Sequence, residues 1–175
     1  TAYRRQRQMC IRDSFTPMQL CVYATTLANR GTRYKATFLK RVVASDYSEL
    51  VLENSPQILS TLKISDDAYA AYTEGMYRVC NTPEGSGWDV FNDFQVTVAG
   101  KTGTAEHGGG TGTSDNAAFI CFAPYEKPEI AVSTYFEQGG YGGDSCSVAA
   151  KILTAYFADS VAAIENSTTY ENSPN

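Results

Sequence analysis

Gln95–Glu106 reads QVTVAGKTGTAE, and the rest of the chain is organised around it. It opens as an alternating strand, with Val96 and Val98 on one face and Thr97 on the other. It then runs into Lys101-Thr102-Gly103-Thr104. Side chains alternate along a strand, so Thr102 and Thr104 share one face and Lys101 and Gly103 the other. Two hydroxyls on one wall suit an anionic group, a lysine ammonium can reach in from below, and Gly103 removes a side chain where a ligand backbone would lie close. The stretch reads as a carboxylate-binding strand edge. The bland alternative is a strand ending in a turn with Lys101 solvated, and the flanking sequence decides against it.

A chain of 175 residues with 43% hydrophobic content can bury one real core and is globular rather than disordered. Its net charge of −5 argues against a nucleic-acid partner, which would want a basic stripe. No apolar run approaches the roughly 18 residues of a membrane-spanning helix. The five cysteines, Cys10, Cys21, Cys80, Cys121 and Cys146, show no C-x-x-C pair and no metal-ligand spacing. Most lie in apolar segments and read as buried small hydrophobes, so no metal and no cofactor is expected.

Residues 1–14 do not match the remainder of the chain. TAYRRQRQMCIRDS carries a net charge of +3, leaving −8 for residues 15–175. A basic arm for an anionic surface is one reading; a non-native, artefactual leader resembling translated adapter sequence is the one adopted, and the segment is set apart from the fold. Thr16-Pro17-Met18-Gln19 is a helix start, with Thr16 capping, Pro17 at the first helical position and Gln19 closing a capping box. Gly31 ends that helix near Arg30. Arg33–Val43 alternates and is expected to pair back on Glu49–Leu52 through the Asp46–Ser48 turn. Ser65 caps a second helix with Tyr69, Tyr72, Met76 and Val79 in one stripe. Asn81–Gly87 (NTPEGSG) is a breaker-rich loop leading past Trp88 and Phe91.

Beyond the Lys-Thr-Gly strand, Ala117–Ala123 (AAFICFA) predicts a strand buried on both faces, and Glu129–Phe136 its antiparallel return. With Gln95–Thr104 these make a three-strand meander. Asp144 or Ser145 is expected to cap a long helix with Val148, Ile152, Leu153, Tyr156 and Phe157 on one side. After about Glu165 the chain is a polar tail. The order of elements indicates an α+β fold, an antiparallel sheet with packed helices.

The segments SFTPMQLCVYATTLANRGTRY, VAGKTGTAE and AAFICFAPYEKPEIAVSTYFE, with the terminal helix, resemble the C-terminal part of a class B penicillin-binding protein transpeptidase domain. The resemblance covers roughly Ser14–Phe157. It implies the serine β-lactamase-like fold, cross-linking of peptidoglycan stem peptides by D,D-transpeptidation through an acyl-serine, and acylation by β-lactam antibiotics. It places the parent protein in a bacterial cell membrane with its catalytic domain on the outer side, among the cell-wall synthesis machinery. With the charge and polarity of the two ends, the chain is expected to divide into residues 1–14 as leader, 15–165 as C-terminal part of the transpeptidase domain and 166–175 as polar tail. By the same resemblance Lys101 and Thr104 are catalytic, the lysine supporting proton transfer and the Thr104 N–H forming half of an oxyanion hole. Thr102 and Thr104 hold the substrate carboxylate, and Gly103 admits the acyl chain.

Such enzymes need Ser-x-x-Lys, then Ser-x-Asn, then Lys-Thr-Gly. Ser60-Thr61-Leu62-Lys63 and Ser114-Asp115-Asn116 fit the first two by letter, but the second comes after Lys101, so the order is wrong and both read as chance. The nucleophile is expected upstream of Thr1, making the chain a piece that does not turn over alone. Val96, Val98, Phe119, Ile120 and Phe122 are then expected to be left partly uncovered. Gly143-Asp144-Ser145-Cys146-Ser147 is not a nucleophile elbow, because Ser147 fills the last glycine position. Gly108–Gly112 lacks the Gly-Lys-Ser/Thr of a phosphate loop. Glu106 and His107 receive no role. The alternative reading is a penicillin-recognising sensor or non-catalytic binding domain of the same fold.

Overall fold

The computed structural model describes residues 15–105 and 114–170, with side chains except at 105 and 159–170. The leader 1–14, Glu106, His107 and the Gly108–Gly112 run lie outside the described residues. Helix α1 (Pro17–Ala28) begins on the expected capping box: Gln19 N–H donates to Thr16 Oγ1 at 3.2 Å, and Thr16 N–H donates to Gln19 Oε1 at 2.8 Å. It ends over Arg30 and Gly31, at φ 51° and 89°.

The alternating segment Arg33–Val43 does not form one strand. β1 (Thr32–Tyr34) pairs antiparallel with β4 (Ile58–Thr61), and only β2 (Arg41–Val43) pairs with β3 (Leu50–Glu53). Between β1 and β2 the Asn54 side chain takes over, donating to Leu39 O at 2.6 Å while Asn54 N–H donates to Lys40 O at 2.9 Å. The Asp46–Ser48 turn closes the β2–β3 hairpin as expected. Ser48 Oγ and N–H both donate to Asp46, and these bonds hold its carboxyl below the usual range.

Helix α2 (Asp66–Asn81) is capped by Ser65, whose Oγ accepts from Ala68 N–H at 3.2 Å. Asp66 and Asp67 stand at its positive end and Arg78 at its negative end. The tyrosine stripe docks it on α1: Tyr72 Oη donates to Leu27 O at 2.8 Å, and the Arg30 guanidinium lies 4.5 Å from the Tyr69 ring centroid while pairing with Asp66. A short helix α3 (Trp88–Phe91), not expected from sequence, brings Phe91 into a stack on Phe119 with ring centroids 5.7 Å apart.

The central sheet is the expected meander, β5 (Ala99–Ala105), β6 (Asn116–Ala123) and β7 (Ile130–Phe136), in the order β5-β6-β7. β5 starts four residues later than the Gln95 expected. The backbone ahead of it is bound elsewhere: Tyr125 N–H donates to Thr97 O, and the Asn81 side chain donates to Val98 O, both at 2.8 Å. β6 is buried on both faces, as a continuous apolar strand should be. On one face Phe119 and Cys121 meet Cys80, Phe91, Val98 and Val132 beneath Ala149, Leu153 and Phe157. On the other, Phe122 and Ala99 meet Met76, with Leu27 and Tyr72 alongside. Val98, Phe119 and Phe122 are therefore no more than 1% exposed, contrary to the expectation that they lie partly uncovered, whereas Val96 and Ile120 are half-buried. The chain's own helices cover them.

A 3₁₀ turn, Gly142–Ser145, leads into helix α4 (Cys146–Tyr170). Ser145 does not act as the expected cap; it is buried and its Oγ donates back to Gly142 O at 2.5 Å. The buried stripe of α4 is Cys146, Ala149, Leu153 and Phe157, while Ile152 and Tyr156 stand on its more exposed side. Among the described residues no helix is long and apolar enough to cross a membrane.

Candidate active site

β5 hydrogen-bonds to β6 on one side only, and among the described residues no strand pairs with its other edge. Thr102 stands opposite Phe119 and Thr104 opposite Ala117, which puts both threonines on the α4 side of the sheet. Lys101, opposite Ile120, points the other way and is exposed. Its Nζ donates to Thr102 O at 2.6 Å, and among the described residues it makes no salt bridge. The ammonium thus rests on the strand's own backbone, available to an incoming anion. Gly103 is exposed, and a Cβ there would meet nothing closer than the Ala118 Cβ at 3.6 Å. The chain's own packing does not demand glycine at this position.

Neither hydroxyl is unsupported. Thr102 Oγ1 is 2.7 Å from Ser86 Oγ, in the loop after α2. Thr104 Oγ1 accepts from Gly142 N–H at 3.0 Å. The Gly142 turn is itself held from beneath, because Thr134 Oγ1 donates to Ser145 O at 3.0 Å. Gly142 is required where it stands: a Cβ would sit 2.6 Å from Gly103 O and 3.0 Å from Thr104 Oγ1. The sequence identified Lys101, Thr102, Gly103 and Thr104 as a set, and the structure brings them together on one edge. Sequence reasoning missed Ser86 and Gly142. Both lie in stretches legible as loops, but nothing in those loops says which strand they touch.

The lookalike motifs are placed elsewhere. Ser60 lies in β4, paired with Arg33 in a separate two-stranded sheet, and β4 ends at Thr61. A Ser-x-x-Lys pair needs a helix to bring positions three apart onto one face, and Ser60 and Lys63 have none. Ser114 is exposed ahead of β6, and Asn116 is a buried structural residue whose Oδ1 accepts from Gln138 N–H at 2.9 Å. Among the described residues no group of three His, Cys, Asp or Glu side chains could hold a metal. Cys80, Cys121 and Cys146 are free, buried thiols, and burial pushes all three up, Cys146 to about 12. Such thiols are inert at neutral pH.

The penicillin-binding protein transpeptidase domain, as a family model, matches residues 6–158. The chain belongs to that family. Among its relatives, penicillin-binding protein 2B of Streptococcus pneumoniae is 30% identical over 155 residues, covering 82% of this chain and 22% of the relative. The peptidoglycan D,D-transpeptidase MrdA of Haemophilus influenzae is 30% identical over 157 residues, covering 81% and 23%. The solved structure of penicillin-binding protein 2B from S. pneumoniae strain R6 superposes with a TM-score of 0.70 at 28% identity, covering 81% of this chain and 24% of that one. Penicillin-binding protein A of M. tuberculosis, solved as its imipenem acyl-enzyme complex, gives 0.63 at 25% identity, covering 82% and 31%. The chain spans between a fifth and a quarter of the curated relatives it matches. The mixed α/β architecture with antiparallel sheets is that of penicillin-binding transpeptidase domains.

Proposed function

We propose that the chain supplies the Lys-Thr-Gly wall of a serine-type peptidoglycan D,D-transpeptidase. The observation that carries this reading is the edge of β5 that no described strand pairs, with the Thr102 and Thr104 hydroxyls on one face and Lys101, which no carboxylate among the described residues pairs, on the other. In this reading Thr102 and Thr104 donate to the terminal carboxylate of a stem peptide or a β-lactam. Lys101 adds positive charge and supports proton transfer. The Thr104 N–H is one oxyanion donor, aimed at charge that appears only in the tetrahedral state; such a donor contributes roughly 3 kcal/mol. The substrate's acyl backbone lies along Gly103.

In this reading the serine that becomes acylated belongs to residues outside these 175; the placement of Ser60 in a strand, of Ser114 exposed ahead of β6 and of Ser145 in the core supports it. In this reading residues 15–165 are the C-terminal part of the transpeptidase domain and 166–175 a polar tail, with 1–14 a basic leader of which the family model nevertheless takes in residues 6–14. The working protein acts on the outer side of a bacterial cell membrane with cell-wall synthesis partners. The relatives' names support the reading: one is called a peptidoglycan D,D-transpeptidase, and another structure is an imipenem acyl-enzyme.

The test is incubation with a fluorescent penicillin, read on a gel and by mass spectrometry. The 175-residue chain alone is expected to carry no adduct, and the full-length protein to carry one outside this segment. An adduct on Ser60 overturns the assignment.

A further inference from the structure

The hydroxyls that line the proposed site are held from behind by two loops that touch each other. Gly85 sits so tightly on the end of α2 that a Cβ would lie 2.3 Å from Val79 O, and Gly87 N–H donates to that same carbonyl at 2.9 Å. Ser86 is fixed between them, with its Oγ 2.7 Å from Thr102 Oγ1. The second loop presses on the first: a Cβ at Gly143 would lie 3.0 Å from Ser86 O. Its neighbour Gly142 donates its N–H to Thr104 Oγ1.

A threonine hydroxyl has one proton to donate and can accept besides. Gly142 N–H occupies Thr104 Oγ1 as an acceptor, which leaves the Thr104 proton free for an anion. Between Ser86 and Thr102 either oxygen can donate. A carboxylate accepts only, so its arrival selects the arrangement in which Ser86 donates to Thr102 and Thr102 donates to the carboxylate. Each bond in such a chain polarises the next.

We infer that Ser86 is a positioning residue for recognition of the ligand carboxylate: it sets the direction of the Thr102 hydroxyl proton, as Gly142 N–H does for Thr104. The inference rests on the reading of β5 as the carboxylate wall. Ser86 itself does not touch the ligand. Its effect passes through Thr102, so it acts on ligands that carry the anion and not on those that lack it.

The experiment uses the full-length protein and two acylating probes, a penicillin as the free acid and the same penicillin as its methyl ester. Ser86→Ala is expected to slow acylation by the acid roughly three- to tenfold, the loss of one supporting hydrogen bond. Acylation by the ester is expected to stay within twofold, and Ser86→Thr, which keeps the hydroxyl, to restore the acid rate. Melting curves of each variant report folding separately. Equal loss with acid and ester, or no loss with either, overturns the role of Ser86 while leaving the carboxylate wall in place. A wild-type protein that discriminates in no way between acid and ester removes the wall itself and this inference with it.

Discussion

Replacing Gly142 by alanine places a methyl group in a tight contact with the backbone of the site strand. The added carbon would lie 2.6 Å from Gly103 O, 3.0 Å from Gly103 C and 3.0 Å from Thr104 Oγ1. Two of these atoms are backbone of β5, which is bound to β6 along its length, so they cannot swing away as a side-chain tip would. Overpacking of this kind costs about 1–3 kcal/mol. Relief by moving the turn breaks the Gly142 N–H bond to Thr104, adding about 1 kcal/mol. The sum lowers the melting temperature by roughly 5–15 °C in a domain of this size. Gly75 is the control, since it lies exposed in α2 with nothing within 4 Å of an added Cβ. Gly75→Ala gains about 0.5–1 kcal/mol of helix stability and should melt slightly higher. Circular dichroism melts read both signs, and fluorescent-penicillin labelling of the full-length protein should slow for the Gly142 variant only. A Gly142→Ala protein that melts and labels like wild type would refute the close approach of the turn to β5.

Leu153→Ala removes a fully buried side chain from the face of α4 and should cost about 2–5 kcal/mol, read from a denaturant titration, whereas the exposed Ile152→Ala should cost far less. The buried thiols tie stability to alkaline pH. Burial raises Cys146 from an ordinary 9.0 to about 12, so its contribution is whole below pH 9 and is lost as pH climbs toward 12. Melts across that window should fall less steeply for Cys146→Ala, and a native protein at pH 8 should resist iodoacetamide at Cys80, Cys121 and Cys146 until unfolded. The 175-residue chain on its own should bind a hydrophobic dye through the β1–β4 region, where Phe38 is 92% and Tyr47 84% exposed; Phe38→Ser with Tyr47→Ser should reduce that signal.

The parts legible in the sequence were those set by local chemistry. The Thr16–Gln19 capping box, the Ser65 cap and the apolar run Ala117–Ala123 each state their structure within a few residues. The Lys101–Thr104 set was legible for the same reason, because strand alternation alone sorts its side chains. Pairing of β1 with β4 was not, since Ile58–Thr61 is exposed throughout and shows no burial alternation to fix a partner. The late start of β5 was hidden because its competitors, the Asn81 side chain and Tyr125 N–H, come from distant parts of the chain. Ser86 and Gly142 were hidden likewise: what makes them matter is a contact 16 and 38 residues away in sequence.

The central claim concerns β5, and Lys101 tests it most directly. Lys101 is exposed and packs against nothing in the core, so Lys101→Ala should leave the melting temperature unchanged. Its charge, however, is assigned to the acylation step. Stopped-flow or gel-based labelling of the full-length protein with fluorescent penicillin is the measurement. The expected result is a loss of about a hundredfold or more in acylation rate at unchanged melting temperature. Wild-type acylation by a normally folded Lys101→Ala protein would contradict the assignment of this strand as the catalytic wall.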